Sequence, residues 1–118
     1  MPRNTFTKFK GRGVYGIYSD NQLLYIGSTG DFGKRFESHN VGFKSKNDRL
    51  YVKMRRDKAD GRCVKIMPII NVDDLCTEAS ITDRDIQAME LALISIYKPM
   101  YNYQGRLAPY KFINRKKN

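Results

Sequence analysis

Residues 14–18 and 23–26 are two short apolar runs, VYGIY and LLYI, separated by Ser19, Asp20, Asn21 and Gln22. A polar turn between two strand-like runs reads as a β-hairpin closed by Gly27. Side chains alternate across a sheet, so these runs leave apolar groups on both faces. Both faces must therefore be covered. Register decides which residues share a face, because a slip of one residue exchanges them. A two-residue loop at Asp20 and Asn21 sets Tyr15 opposite Ile26, with Tyr25 on the other face. A three-residue loop over residues 19–21, or a bulge of the same effect, sets Tyr15 directly across from Tyr25, together with Ile17 and Leu23. Val14, Tyr18, Leu24 and Ile26 then line the opposite face. We expect the three-residue loop, with Asn21 left-handed at its last position, or a bulge with the same effect.

The chain on either side of this hairpin reads as helices and one more strand. Residues 1–12 have no periodicity and form a basic, loosely held arm carrying Lys8, Lys10 and Arg12. After the hairpin, Thr29 or Asp31 caps a helix to about Asn40, weakened by Gly33. On that helix Arg35 and His39 are neighbours at the edge of a stripe that includes Phe32 and Phe36. Asn47 or Asp48 caps a second helix ending at Gly61, whose core side is Leu50, Met54 and Tyr51 and whose outer side is Arg49, Lys53, Arg56 and Lys58. Residues 63–72, CVKIMPIINV, read as a third strand with Pro68 placing it at an edge or a bulge. An acidic loop over 73–81 leads to Thr82 and Asp85, an approximate capping box for a last helix to about Lys98, stopped by Pro99. On that helix Glu90 lies among Ile86, Leu93, Ile94 and Tyr97. A carboxylate there needs a compensating partner: Arg35 as a structural pair, or a divalent cation. The tail, ending in Arg115, Lys116 and Lys117, reads as a strand or loop over the sheet.

Charge identifies the class of partner. The 118 residues hold 22 Lys and Arg against 12 Asp and Glu, a net +10, which points to a polyanion. Residues 34–65 carry eleven basic and four acidic side chains, and no acid follows Glu90. Lys34, Lys44, Lys46, Arg49, Lys53 and Arg56 are the expected nucleic-acid contacts. No apolar run approaches a membrane span, and the N-terminus lacks the apolar core of a secretory signal, so a cytoplasmic location is expected. Cys63 and Cys76 lack metal-ligand spacing and read as reduced thiols. The length suits one domain over residues 13–118 behind the basic arm.

Phosphodiester hydrolysis needs a base, a cation for the nonbridging oxygens, and a metal or acid for the leaving oxygen. Tyr15, Tyr25 and His39 suit the first task, Arg35 the second and Glu90 the third. The absence of paired carboxylates argues against a two-metal nuclease, and the absence of a GxxxxGK[ST] loop against an NTPase.

At these residues the sequence resembles the GIY-YIG nuclease family. The name motif reads here as Gly13-Val14-Tyr15, nine residues, then Tyr25-Ile26-Gly27. Arg35 and His39 follow, and ELALISIYKPMYN places Glu90 twelve residues before Asn102. Gly16-Ile17-Tyr18 spells the name literally but lies only six residues short of Tyr25, so Tyr15 takes the role and Tyr18 is expected to pack. The resemblance implies an α+β fold, a small three-stranded antiparallel sheet flanked by helices. It implies a metal-dependent DNA endonuclease with one divalent cation, Mg²⁺, held by Glu90. Arg35 would bind the scissile phosphate, Tyr15 would act as base or orient the water, and Tyr25 would hydrogen-bond near the nucleophile. His39, whose ordinary pKa of about 6.5 suits neutral pH, is the other base, and Asn102 positions the site. Ser28 stands where repair members of the family carry Lys, so YIGST looks more like homing and phage-type members. A noncatalytic nucleic-acid-binding module and an RNA-directed nuclease are the alternatives. One site cuts one strand, so cutting both requires a dimer or a second engagement.

Overall fold

A computed structural model of the chain describes residues 9–42, 48–75 and 80–103. The hairpin forms as β1 (Gly13–Ser19) and β2 (Gln22–Thr29), and β3 (Val64–Asn71) pairs with the far side of β1. The sheet order is β2-β1-β3, with both pairings antiparallel. Helices α1 (Phe32–Gly42) and α2 (Arg49–Ala59) connect β2 to β3. After β3 come a single 3-10 turn (Val72–Asp74), α3 (Asp83–Tyr97) and the four-residue α4 (Met100–Tyr103). The fold is α+β, a three-stranded antiparallel sheet flanked by helices, as the sequence led us to expect. Among the described residues no helix is long and apolar enough to cross a membrane.

The hairpin departs from expectation in an instructive way. Its loop has two residues, and Asp20 rather than Asn21 takes the left-handed conformation, at φ 52°. Asp20 is held there from both ends. Its N–H donates to the Cys63 carbonyl at 2.7 Å, and its carboxylate accepts from the Cys63 N–H at 2.8 Å. A register shift between Ile17 and Tyr18 absorbs one extra residue of β2, so Ile17 pairs with Tyr25 and Tyr15 with Gly27. The tyrosines share a face, but as diagonal neighbours with ring centroids 6.4 Å apart rather than as a directly opposed pair. The same bulge exchanges two leucines between faces. Leu24 joins Tyr15, Ile17, Phe32, Phe36, Leu50 and Met54 under α1 and α2, while Leu23 packs with Val14, Ile26, Val72, Ile86 and Ile94 under α3. Both faces are covered, and full burial of Phe32 and Phe36 contributes about 1.5–3 kcal/mol each.

Polar side chains set the helix boundaries. Asp31 accepts from the Lys34 N–H at 3.1 Å to open α1, Asp48 accepts from the Leu50 and Tyr51 N–H groups to open α2, and Thr82 and Asp85 form the capping box of α3. Pro68 faces Tyr15 beside a second register shift, so its missing donor falls where β1 and β3 pair irregularly.

Three segments differ from the sequence reading. Residues 9–12 of the basic arm are tied down: Phe9 packs edge-on against Phe36, and the Gly11 and Arg12 carbonyls accept from Phe32 and Val72 N–H groups. Tyr97, expected in the apolar face of α3, is 63% exposed, because burial along the helix stops at Ile94. The segment after Pro99 starts as a helix, not a strand or loop. Lys8, Cys76, Arg115, Lys116 and Lys117 lie outside the described residues.

Asp57, on α2, is a buried acid that the sequence reading passed over. Lys53 Nζ lies 2.9 Å from its carboxylate and Arg62 Nε 3.8 Å away. Arg62 also donates to the Ser19 hydroxyl and carbonyl. Burial alone would raise the Asp57 carboxyl, but hydrogen bonds from Ser19 and Lys53 and the charges of Lys53 and Arg62 hold it below the usual range. This cluster joins the end of α2 to the hairpin.

Candidate active site

The shared face of the hairpin carries the first functional group. Tyr15, at the centre of the sheet, is buried and points its hydroxyl at His39 Nε2, 2.6 Å away. His39 comes from the third turn of α1, itself buried, and its Nδ1 lies 2.8 Å from the Tyr51 hydroxyl of α2. Tyr25 completes the group, its ring centroid 6.2 Å from that of His39. A neutral imidazole donates from one nitrogen and accepts at the other. With the proton on Nδ1, His39 donates to Tyr51 and accepts from Tyr15.

The motif glycines explain how this tyrosine can lie flat on its own sheet. Gly27 is the cross-strand partner of Tyr15, and a Cβ at Gly27 would overlap the Tyr15 hydroxyl and Cζ. Only the bare backbone leaves room for the ring. Gly13, at φ 152°, lies so close to β3 that a Cβ would collide with the Ile70 carbonyl.

Electrostatics link this buried group to its exposed neighbours. Burial, reinforced by Tyr25, raises the Tyr15 phenol well above its ordinary value of 10.0; Arg35 pulls it down, and Glu90 and Tyr51 push it up. Tyr15 is therefore a neutral phenol at physiological pH, and the charges of Arg35 and Glu90 both reach its hydroxyl. Arg35 is exposed on α1 and borders a cleft of ≈ 230 Å³ with Ser28, Thr29, Gly30, Asp83, Ile86 and Gln87. Glu90, half-buried on α3, accepts from the Ser28 hydroxyl at 2.6 Å. The compensation expected for Glu90 thus comes at least in part from Ser28, the residue that directly follows the second motif.

Asn102 does structural work at the same place. Buried on α4, its side-chain oxygen accepts from the Ile26 N–H and its amide donates to the Ile26 carbonyl, both at 2.8 Å. One amide thus satisfies both backbone groups of Ile26 on the outer edge of β2, as a neighbouring strand would. Asn102→Leu leaves two buried backbone groups unpaired, and urea denaturation is expected to show a loss of about 2–4 kcal/mol. Loss of under 0.5 kcal/mol would show the clamp to be incidental.

The basic candidates divide. Lys34, Arg49 and Arg56 are exposed, whereas Lys53 is paired with Asp57; Lys44 and Lys46 lie outside the described residues. Among the described residues no three His, Cys, Asp or Glu side chains converge as a metal-binding group. Zn²⁺ normally takes three or four such ligands. A single carboxylate with a hydroxyl beside it fits a Mg²⁺-type ion, which keeps several waters and completes its shell with substrate phosphate.

Tyr51 and Ser28 are the members of this site that sequence reasoning did not assign. Tyr51 carries a usable signal, since it lies in the first turn of α2 on the core side with Leu50 and Met54. Set against known proteins, residues 12–104 match the family model described as the GIY-YIG catalytic domain. No curated protein and no solved structure matches the chain.

Proposed function

The chain belongs to the GIY-YIG family of nucleases, and from that membership we propose that it is a DNA endonuclease that hydrolyses phosphodiester bonds with one divalent cation per site. The observation that carries the reading is the short contact between the Tyr15 hydroxyl and His39 Nε2, at a hydroxyl that also feels Arg35 and Glu90. A phenol whose pKa is raised this far is a poor base by itself. Paired with an imidazole, it becomes a relay: Tyr15 Oη accepts a proton from the attacking water while its own proton passes to His39 Nε2. Tyr15 ends neutral and His39 ends as imidazolium, its Nδ1–H still donating to Tyr51. Tyr25 borders the attacking position and orients the water. Arg35 holds the nonbridging oxygens, where its fixed donors stabilise the negative charge that develops on them. Glu90, oriented by Ser28, is the protein ligand for Mg²⁺, which supplies positive charge at the leaving oxygen when bound. Asn102 keeps β2 in register beneath these groups. Lys34, Arg49 and Arg56 supply nonspecific phosphate contacts, with Lys44 and Lys46 from the neighbouring segment.

The test is nicking of supercoiled plasmid. The protein with Mg²⁺ is expected to convert supercoiled to open-circular DNA, since one site cuts one strand. EDTA is expected to stop conversion, and excess Mg²⁺ to restore it. Salt-sensitive DNA binding without cleavage under any divalent ion would favour the noncatalytic module, and cleavage confined to RNA would favour the RNA-directed alternative.

A further inference from the structure

Glu90 and Tyr97 lie seven residues apart on α3, two turns that return to the same side of the helix about 10 Å further along. Burial stops between them, so Tyr97 is 63% exposed on the stripe that carries Glu90. Met100 beyond it is 42% exposed, and half-buried Tyr101 packs against the cluster that contains Tyr15. Lys98, exposed, follows Tyr97 and takes a left-handed φ of 47° as α3 ends. Asn102 then seats α4 on β2 at Ile26. An aromatic ring therefore stands in solvent about two turns of α3 beyond Glu90, followed in the chain by a cation. The sequence from residue 91 onward contains no acid.

We propose that Tyr97, with Lys98 on the adjoining phosphate, is a stacking platform for an unpaired nucleobase near the scissile phosphate, which makes DNA with a single-stranded segment at the cut a better substrate than fully paired duplex. This rests on the nuclease reading above and names its substrate class. The faces of a paired base are covered by its neighbours in the duplex, so stacking on this ring requires a base that has left the stack, whereas a hydroxyl contact to a phosphate would not survive Tyr97→Phe. Two turns of helix place that base within about one or two nucleotides of a phosphate at Glu90. The cation and the acid-free sequence favour a polyanion on this ledge over an apolar protein partner.

Binding is measured with the full chain in EDTA, so that cleavage plays no part. The probe is a duplex with a short single-stranded flap carrying 2-aminopurine next to the junction. Wild type and Tyr97→Phe are expected to quench the fluorophore on binding. Tyr97→Leu is expected to lose the quench and to bind the flap about tenfold more weakly, with duplex affinity unchanged within about twofold. Tyr97→Gln gives the same comparison should leucine disturb folding by circular dichroism. Equal quenching and affinity for wild type and Tyr97→Leu overturn the proposal, as they would if another part of the chain covered the ring. A Tyr97-dependent quench in a protein that cleaves nothing keeps the platform and removes the nuclease reading. Cleavage with no such quench does the reverse.

Discussion

Glu90→Ala is expected to reduce Mg²⁺-dependent nicking by at least about 10³-fold, the scale of losing a central electrostatic group in a hydrolytic site. Asp83 borders the same cleft as Arg35, but Glu90 is the carboxylate whose charge reaches the Tyr15 hydroxyl, so extra Mg²⁺ should not rescue the variant. DNA binding should persist and even tighten slightly, because one negative charge has been removed from a basic protein. Folding should be little affected, since the carboxylate is half-buried and the Ser28 hydroxyl that donates to it can turn to water. Loss of cleavage with retained binding and an unchanged denaturation midpoint separates a metal ligand from a structural acid. Wild-type nicking by Glu90→Ala would falsify the assignment.

The second large effect belongs to Tyr15. Tyr15→Phe removes one oxygen and leaves the ring in place, so its consequences are those of the relay alone. Nicking is expected to fall by about 10²–10⁴-fold. His39 Nε2 also loses its buried partner, at a cost of about 1–3 kcal/mol in stability. The raised phenol pKa sets the sign of a further effect. The folded protein holds this proton to higher pH than the unfolded chain does. Stability from burying the phenol is therefore intact below the ordinary value of 10.0 and is lost as pH rises above it. Urea midpoints measured from pH 8 to 11 should decline less steeply in Tyr15→Phe than in wild type. Parallel declines would show that the buried phenol is not the group responsible.

The hairpin, its covered faces, the third strand and the capped helices were legible because each rests on local chemistry: alternation, turn residues and caps a few residues from what they cap. Glu90 was legible for a related reason, as a charge on an apolar helical face that had to find company. Asp57 obeys the same rule, falling on the stripe of Leu50 and Met54 at i+7 and i+3, and it was readable by that test. What escaped depends on contacts between distant segments. Nothing near Asn102 in sequence announces that its amide replaces a strand beside Ile26, and nothing near Ser28 announces Glu90, sixty-two residues later. Tyr97 failed for the opposite reason. Its position on the wheel was apolar, but a wheel carries no information about where the packed surface beneath a helix ends.

The extra residue in β2 bears on how chains of this kind can be compared. Nine residues separate the two tyrosines here, yet one of them is absorbed by the irregularity between Ile17 and Tyr18. A chain with eight and a regular ladder would bring Ile17 and Tyr25 into the same alignment. A gap of one residue in an alignment at this point therefore need not signal a change of active site, whereas an uncompensated gap would turn Tyr25 away from Tyr15 altogether. Evolutionary drift in the length of this strand is tolerated only in steps that the ladder can swallow.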